Sequence, residues 1–250
     1  MRSRILGRAR DLVNSQLRDR GYRLTWFPPR VLSRAGQTVD VDFSLLAAHL
    51  MLTTPRPYFF GIGANDGVTH DPLYPFIRDY GWRGIQIEPI PEAFAALQRN
   101  YSNLGHVALL QAAIGLQDGF AKIYTVEVSD QETMTMSLHS SFGRDMLLRG
   151  KQWHPQLEHY MIEREVPVVS FYTLLNRIGD EKVDVIKIDT EGYDLEILRT
   201  IDFARVSPSL IIAEHANISR QEKIEMADIL LDNGYRVAMT ALDMLGYKSL

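Results

Sequence analysis

The sequence contains no cysteine. That absence removes a disulfide framework, a thiolate nucleophile and a cysteine-ligated zinc site together, and it leaves the redox compartment unreported. Long apolar runs are missing as well. Nothing approaches the roughly 18 uninterrupted apolar residues of a membrane span, and the nearest run, 45–52, is broken by His49. No apolar stretch follows the amino-terminal arginines as a secretory signal would require, so a cytoplasmic protein is expected. Internal repeats and low-complexity tracts are also absent.

What remains is 46% apolar and 23% charged residues over 250 positions, enough for one sizeable core. The expectation is one catalytic domain over 55–250, preceded by a basic, helical extension over 1–54 that packs on it. Arginine is concentrated in that extension: residues 1–34 hold nine Arg against Asp11 and Asp19, in a chain of net charge −4. Ile5, Ala9, Leu12, Val13 and Leu17 recur at helical spacing. One reading is a helix packed by that stripe with its arginines in solvent. The other is peripheral contact with an anionic membrane at its inner face, or with a phosphorylated acceptor. Nucleic acid is not an expected partner, because the rest of the chain is acidic and has no basic, aromatic-interleaved strand face.

Beyond residue 55 the pattern alternates. Short Ile-, Val-, Leu- or aromatic-rich strands are predicted at 58–62, 84–87, 106–112, 183–188, 209–213 and 235–239. Helices are predicted from the Asp71-Pro72 pair to Tyr80, from Pro91 to about Tyr101, and from a Ser219 cap to Asn233 before Gly234. Such alternation builds a mostly parallel sheet covered on both faces, an α/β architecture. The rhythm breaks at about 119–165, where a strand-like 119–128 precedes a polar stretch, 129–150, and a helical 151–162. This insertion is a candidate acceptor-binding lid, with Ser137, His139, Ser140 and Ser141 as polyol contacts and Trp153 as a stacking platform. Trp82, at the start of a strand, reads as core.

The strand 58–62 runs into Gly61-Ile-Gly-Ala-Asn-Asp-Gly67, and 21 residues after that last glycine the next strand ends on Glu88. Glycines let the backbone turn tightly against a ligand, and an acid at the following strand tip accepts the hydroxyls of a ribose. The ligand should contain adenosine. Gly61, Gly63 and Gly67 are spaced G-x-G-x-x-x-G, one residue longer than a dinucleotide fingerprint, and no lysine followed by Ser or Thr ends the turn as in a P-loop. Five strand exits carry polar or glycine-rich groups: 61–67, Glu88, 113–118, 189–191 and Glu214-His215. In an open α/β sheet these tips share one edge.

The ordered motifs Gly-Ala-Asn-Asp-Gly-Val (63–68), Gly-Trp-Arg-Gly-Ile-Gln-Ile-Glu-Pro (81–89), Ala-Ala-Ile-Gly (112–115) and Ile-Lys-Ile-Asp-Thr-Glu-Gly-Tyr-Asp (186–194) resemble those of the FkbM-type methyltransferases, a branch of the class I S-adenosylmethionine-dependent enzymes. The resemblance implies a Rossmann-like sheet of seven strands, mostly parallel with a terminal antiparallel strand, and O-methylation of sugars, glycans or natural products. It implies that Gly61, Gly63, Ala64 and Asn65 line the methionine end of S-adenosyl-L-methionine, with Asp66 and Gly67 also binding the cofactor. Glu88 with Pro89 would hold the ribose, and Ala113 and Ile114, with neighbouring Gly115 and Asp118, would lie near adenine. Members of the family usually carry Asp where this chain has Gly61, so contact to the cofactor's ammonium would fall to Asp71 or Asp189.

Methyl transfer mainly needs alignment and exclusion of water, but a sugar hydroxyl is a poor nucleophile and a base beside it assists. Asp189, Glu191, His215 and Glu214 are the candidates. Asp189 with Glu191 is also compatible with a divalent cation, which is not required. The alternatives are a nicotinamide-dependent oxidoreductase, disfavoured by the late third glycine, and a non-catalytic nucleoside-binding domain of the same fold.

Overall fold

The computed structural model describes residues 43–127 and 155–248, together with Arg144 and Leu148. The basic segment 1–34, the serines and histidine of 137–141, and Trp153 lie outside the described residues.

The strands are β1 Tyr58–Ile62, β2 Arg83–Ile87, β3 Val107–Leu110, β4 Ala113–Gly115, β5 Gly119–Val126, β6 Met161–Ser170, β7 Val185–Ile188, β8 Leu210–Glu214, β9 Arg236–Met239 and β10 Asp243–Tyr247. The helices described are α1 Phe43–Leu50, α2 Tyr74–Tyr80, α3 Pro91–Asn100, α4 Leu157–Tyr160, α5 Phe171–Arg177, α6 Asp194–Thr200 and α7 Arg220–Asp232.

Seven strands form one sheet in the order β3-β2-β1-β7-β8-β10-β9, in which β10 runs antiparallel to both neighbours and the other pairings are parallel. Side chains alternate along the central strands, and each set meets its own helices. Phe60, Ile62, Ile186, Ile188, Ile211 and Ala213 share a core with α5, α6 and α7. Phe59, Val185, Leu210 and Ile212 share the other with α1, α2 and α3. Trp82 is fully buried in this second core against Phe76. Each such large side chain stabilises the fold by roughly 1.5–3 kcal/mol.

Helix α1 buries Phe43, Leu46, Ala47 and Leu50, so the stretch just before residue 55 packs on the sheet. Ser219 caps α7 through a reciprocal capping box with Glu222. At α2 the expected cap fails: Leu73 is the cap residue and Asp71 is buried one turn earlier.

The strand expected at 106–112 is shorter, Val107–Leu110. β3 ends at Leu110, and Ala113–Gly115 leaves the main sheet for a second one of order β4-β6-β5. Of the helix expected at 151–162, the described part keeps only Leu157–Tyr160, because Met161 opens the long strand β6. Ile162, Val166, Val168 and Val169 favour that strand, and it pairs with β5 along its length from Gly119↔Val168 to Val126↔Met161.

Strand order reverses between β1 and β7. The first path runs outward through β2 and β3, the second through β8, and a crevice opens beyond the carboxyl ends at this switch point.

Candidate active site

Beyond β1 the chain makes a turn held by left-handed residues: Gly63, Asn65, Gly67 and His70 have φ of 75°, 50°, 72° and 58°. Gly63 allows the closest approach, since a Cβ there would stand 1.8 Å from the Asp189 carbonyl oxygen. Asp66 faces inward on the turn itself, accepting from the Val68 and Thr69 amides and the Thr69 hydroxyl at 2.7–2.9 Å. Burial raises its carboxyl, but those three donors outweigh it and hold the pKa below the usual range.

Glu88, at the tip of β2, is 5% exposed. One carboxylate oxygen accepts the Asn65 amide and the other the Ile90 amide, each at 2.8 Å. Burial lifts its pKa to about 7, against the pull of the Ile90 and Asn65 donors.

The tip of β7 contributes a buried ion pair. Lys187 Nζ lies 3.0 Å from Asp189 and donates to the Gly63 carbonyl at 3.2 Å. Burial alone would lower this ammonium's pKa; Asp189 and Asp71 reverse the effect and keep it charged. Glu191 follows with φ 55°, a strained conformation for a glutamate. It accepts from Asn217 Nδ2 at 2.8 Å, and the same amide reaches Glu214, at the tip of β8, at 3.4 Å. Burial, then Asp189 and Asp194, push Glu191 up to about 8. Burial, then Glu191 and Asp189, push Glu214 up to about 9. One carboxylate oxygen each from Asp189, Glu191 and Glu214 lies within 4.8 Å of the other two, a spacing a single divalent cation can span.

These tips line one cavity of about 580 Å³. Gly63, Ala64, Asn65, Glu88, Pro89, Ala113, Ile114, Asp189, Glu191 and Glu214 all border it, as their strand positions require. Lys187, Thr190, His70 and Asp243 join them without having been singled out from the sequence. Lys187 was detectable there as the one charged residue inside the apolar run 185–188.

Several expected residues do not border the cavity. Gly61 faces the Gln86 side chain, Gly67 faces Leu97 and Tyr101, and Asp71 is buried against Leu73 and Gln86. Asp118 instead binds the Ser170 amide and Thr173 hydroxyl at the start of α5. His215 is 4% exposed and stands off the lining; its amide donates to the Leu242 carbonyl at 2.7 Å, while neither ring nitrogen has a partner. Burial, and behind it the Lys223 charge, hold the imidazole below its ordinary pKa and therefore neutral.

Residues 61–237 match the family model of the FkbM methyltransferase domain. The chain belongs to the FkbM methyltransferase family. The matched domain is accordingly of the S-adenosylmethionine-dependent methyltransferase type. Solved structures with a similar course of the chain include an FkbM methyltransferase from Methylobacillus flagellatus KT, at 15% identity and a TM-score of 0.46, covering 77% of this chain and 44% of that one. This chain thus spans less than half of that protein. A methyltransferase from Geobacter sulfurreducens matches at 14% identity and a TM-score of 0.41, over 90% of this chain and 91% of that one. A precorrin-6y C5,15-methyltransferase from Geobacter metallireducens GS-15 matches at 12% and 0.39, over 84% and 94%. No curated protein is similar enough to this chain to count as a relative.

The cavity suits the family's cofactor. Its volume lies within the range of small-molecule sites. Each Glu88 oxygen keeps a lone pair after accepting one amide, as a diol requires. Apolar Ile90, Ala112, Ala113, Ile114 and Ile123 offer flat contact for a base nearby. Among the described residues no helix is long and apolar enough to cross a membrane.

Proposed function

We propose that this FkbM-family chain transfers a methyl group to a hydroxyl of a neutral polyol, a sugar or glycan being the leading class. The observation that carries the reading is the division of the cavity lining: Glu88 at the tip of β2, and the cluster Asp189, Glu191 and Glu214 at the tips of β7 and β8 on the other side of β1. In this reading Glu88 accepts the ribose hydroxyls, Pro89, Ala113 and Ile114 flank the adenine, and Gly63, Ala64 and Asn65 pass beside the methionine moiety. Asp189, beside the Lys187 charge, is the remaining partner for the cofactor's ammonium, since Asp71 is buried and Gly61 has no side chain. The cofactor, when bound, supplies an activated methyl on a sulfonium.

The protein's own contribution is alignment and proton uptake. A carboxyl-rich wall accepts hydrogen bonds, and a polyol donates several. At neutral pH the Glu191–Glu214 pair is mostly protonated, because its two members share Asn217 and have pKa values raised to about 8 and about 9, which leaves Glu191 the more readily ionised of the two. An ionised member takes the acceptor's hydroxyl proton as the oxygen becomes nucleophilic. His215 has no part in this scheme. A divalent cation on Asp189, Glu191 and Glu214 would replace the base by lowering the hydroxyl's pKa directly, and chelation separates the two cases.

The test is incubation of the protein with a methyl-labelled donor and a panel of neutral glycans, with products read by mass spectrometry. A gain of one labelled methyl on oxygen is expected; labelling confined to nitrogen or carbon acceptors would refute the hydroxyl assignment.

A further inference from the structure

Gly61, the position at which the acidic side chain expected of the family is missing, lies in register with Gln86 on one side and Lys187 on the other. All three fall on the sheet face packed by α2 and α3, because Phe60 and Ile62, Ile85 and Ile87, and Ile186 and Ile188 occupy the opposite face. A polar row therefore crosses three adjacent strands directly under the glycine turn. Its middle member contributes only space. A Cβ on residue 61 would stand 1.8 Å from Gln86 Oε1, so the Gln86 amide fills the volume that a side chain at 61 would take.

Gln86 is fully buried, and its amide nitrogen does two things. It donates to Asp71 Oδ2 at 2.9 Å and to the Tyr101 hydroxyl at 3.0 Å. Tyr101 passes the contact on, donating to the Gly67 carbonyl at 2.9 Å, and Asp71 Oδ1 accepts the Leu73 amide at 2.9 Å. One side chain thus ties both the middle and the far end of the 63–71 turn to the sheet. The turn needs such ties, since Asn65 and His70 hold left-handed conformations that side-chain-bearing residues avoid.

The other half of the amide argues the same way. Gln86 Oε1 is buried with no hydrogen-bond partner. A leucine would fill the same volume without stranding an acceptor, so the side chain is explained by its donor and not by its bulk.

We propose that Gln86 is a positioning residue for the cofactor turn, and that Gly61 and Gln86 form an exchangeable pair. The anchoring group sits on β2 in the room that Gly61 leaves, and a polar side chain placed at position 61 can replace it once Gln86 is cut back. The proposal rests on the 63–71 turn being the cofactor-holding segment.

Four proteins decide it: wild type, Gln86→Leu, Gln86→Ala, and the double variant Gly61→Asn with Gln86→Ala. S-adenosylhomocysteine affinity is measured by calorimetry, KM and kcat with the methyl donor, and backbone hydrogen exchange without ligand. Gln86→Leu is expected to weaken affinity about tenfold, the scale of one or two buried hydrogen bonds. KM should rise, and kcat at saturating donor should stay within about twofold. Exchange should quicken in 63–71 and not in β1. The double variant should bind more tightly than Gln86→Ala alone. Unchanged affinity and exchange in Gln86→Leu would overturn the proposal, as would a double variant no better than Gln86→Ala. Should wild type reject S-adenosylhomocysteine while exchange in 63–71 still responds to Gln86→Leu, the cofactor reading fails and the positioning role stands.

Discussion

Glu88 and Glu214 end β2 and β8, with β1 and β7 between them, and face one cavity, yet their carboxyl groups live in opposite surroundings. Glu88 accepts a backbone amide on each oxygen, and the turn beside it is tied down by Asp66, Tyr101 and Gln86. Glu214 shares one long contact from Asn217 with Glu191 and lies close to further acids, Asp189, Asp194 and Asp243. One end of the cavity is finished by its own donors. The other is short of positive charge, with Lys187 already committed to Asp189 and the Gly63 carbonyl. On the proposed reading, binding and chemistry fall mainly to separate groups: the saturated end is preformed for a constant ligand, and the Glu191–Glu214 pair takes up a proton.

If that division holds, the largest effect belongs to the unsaturated end. Glu191→Gln removes the proton acceptor without changing shape, and kcat should fall by about 10²–10³, the lower part of the general-base range, with cofactor affinity intact. Rapid-quench turnover with labelled donor checks this, and an unchanged kcat would transfer the role to a cation or to solvent. Next in size is the saturated end. Glu88→Ala should cost about 1.5–3 kcal/mol of cofactor affinity, the scale of hydrogen bonds to a charged group, and leave kcat at saturation much less affected.

The last effect is on stability, read as a modest shift of Tm, and its sign is fixed by linkage. Glu191 and Glu214 have folded-state pKa values of about 8 and about 9, above the ordinary 4.5. Between those limits the folded protein binds more protons than the unfolded chain, so stability falls as pH rises. Thermal unfolding of the unliganded protein should show Tm declining from pH 6 to pH 9, and Glu214→Gln should flatten the decline. A Tm that rises over that interval would mean the acids are paired by something else, for example a bound cation.

The sheet was legible because its strands are short apolar runs ending in glycine or acid, and the site was legible for the same reason. Ala113 and Ile114 were found by motif although their strand belongs to the second sheet, a pairing that depends on β6, far along the chain. Strand β10 has a weak pattern of its own and is fixed by β8 and β9 on either side. His215 follows Glu214 directly, but its backbone is held by the Leu242 carbonyl and its ring is buried away from the lining, which adjacency in sequence does not reveal. Gln86 and Lys187 are less legible because they lie inside strands, where polar residues draw less notice than at tips. Their period-two alignment with Gly61 was available in the sequence, but only the strand register makes them adjacent.

The most direct test of the division is one calorimetric series: S-adenosylhomocysteine titrated into wild type, Glu88→Ala and Glu191→Gln, with NAD titrated into wild type for comparison. The account predicts that wild type prefers S-adenosylhomocysteine, that Glu88→Ala loses about tenfold or more in affinity, and that Glu191→Gln matches wild type. Preference for NAD, or equal losses in both variants, would contradict it.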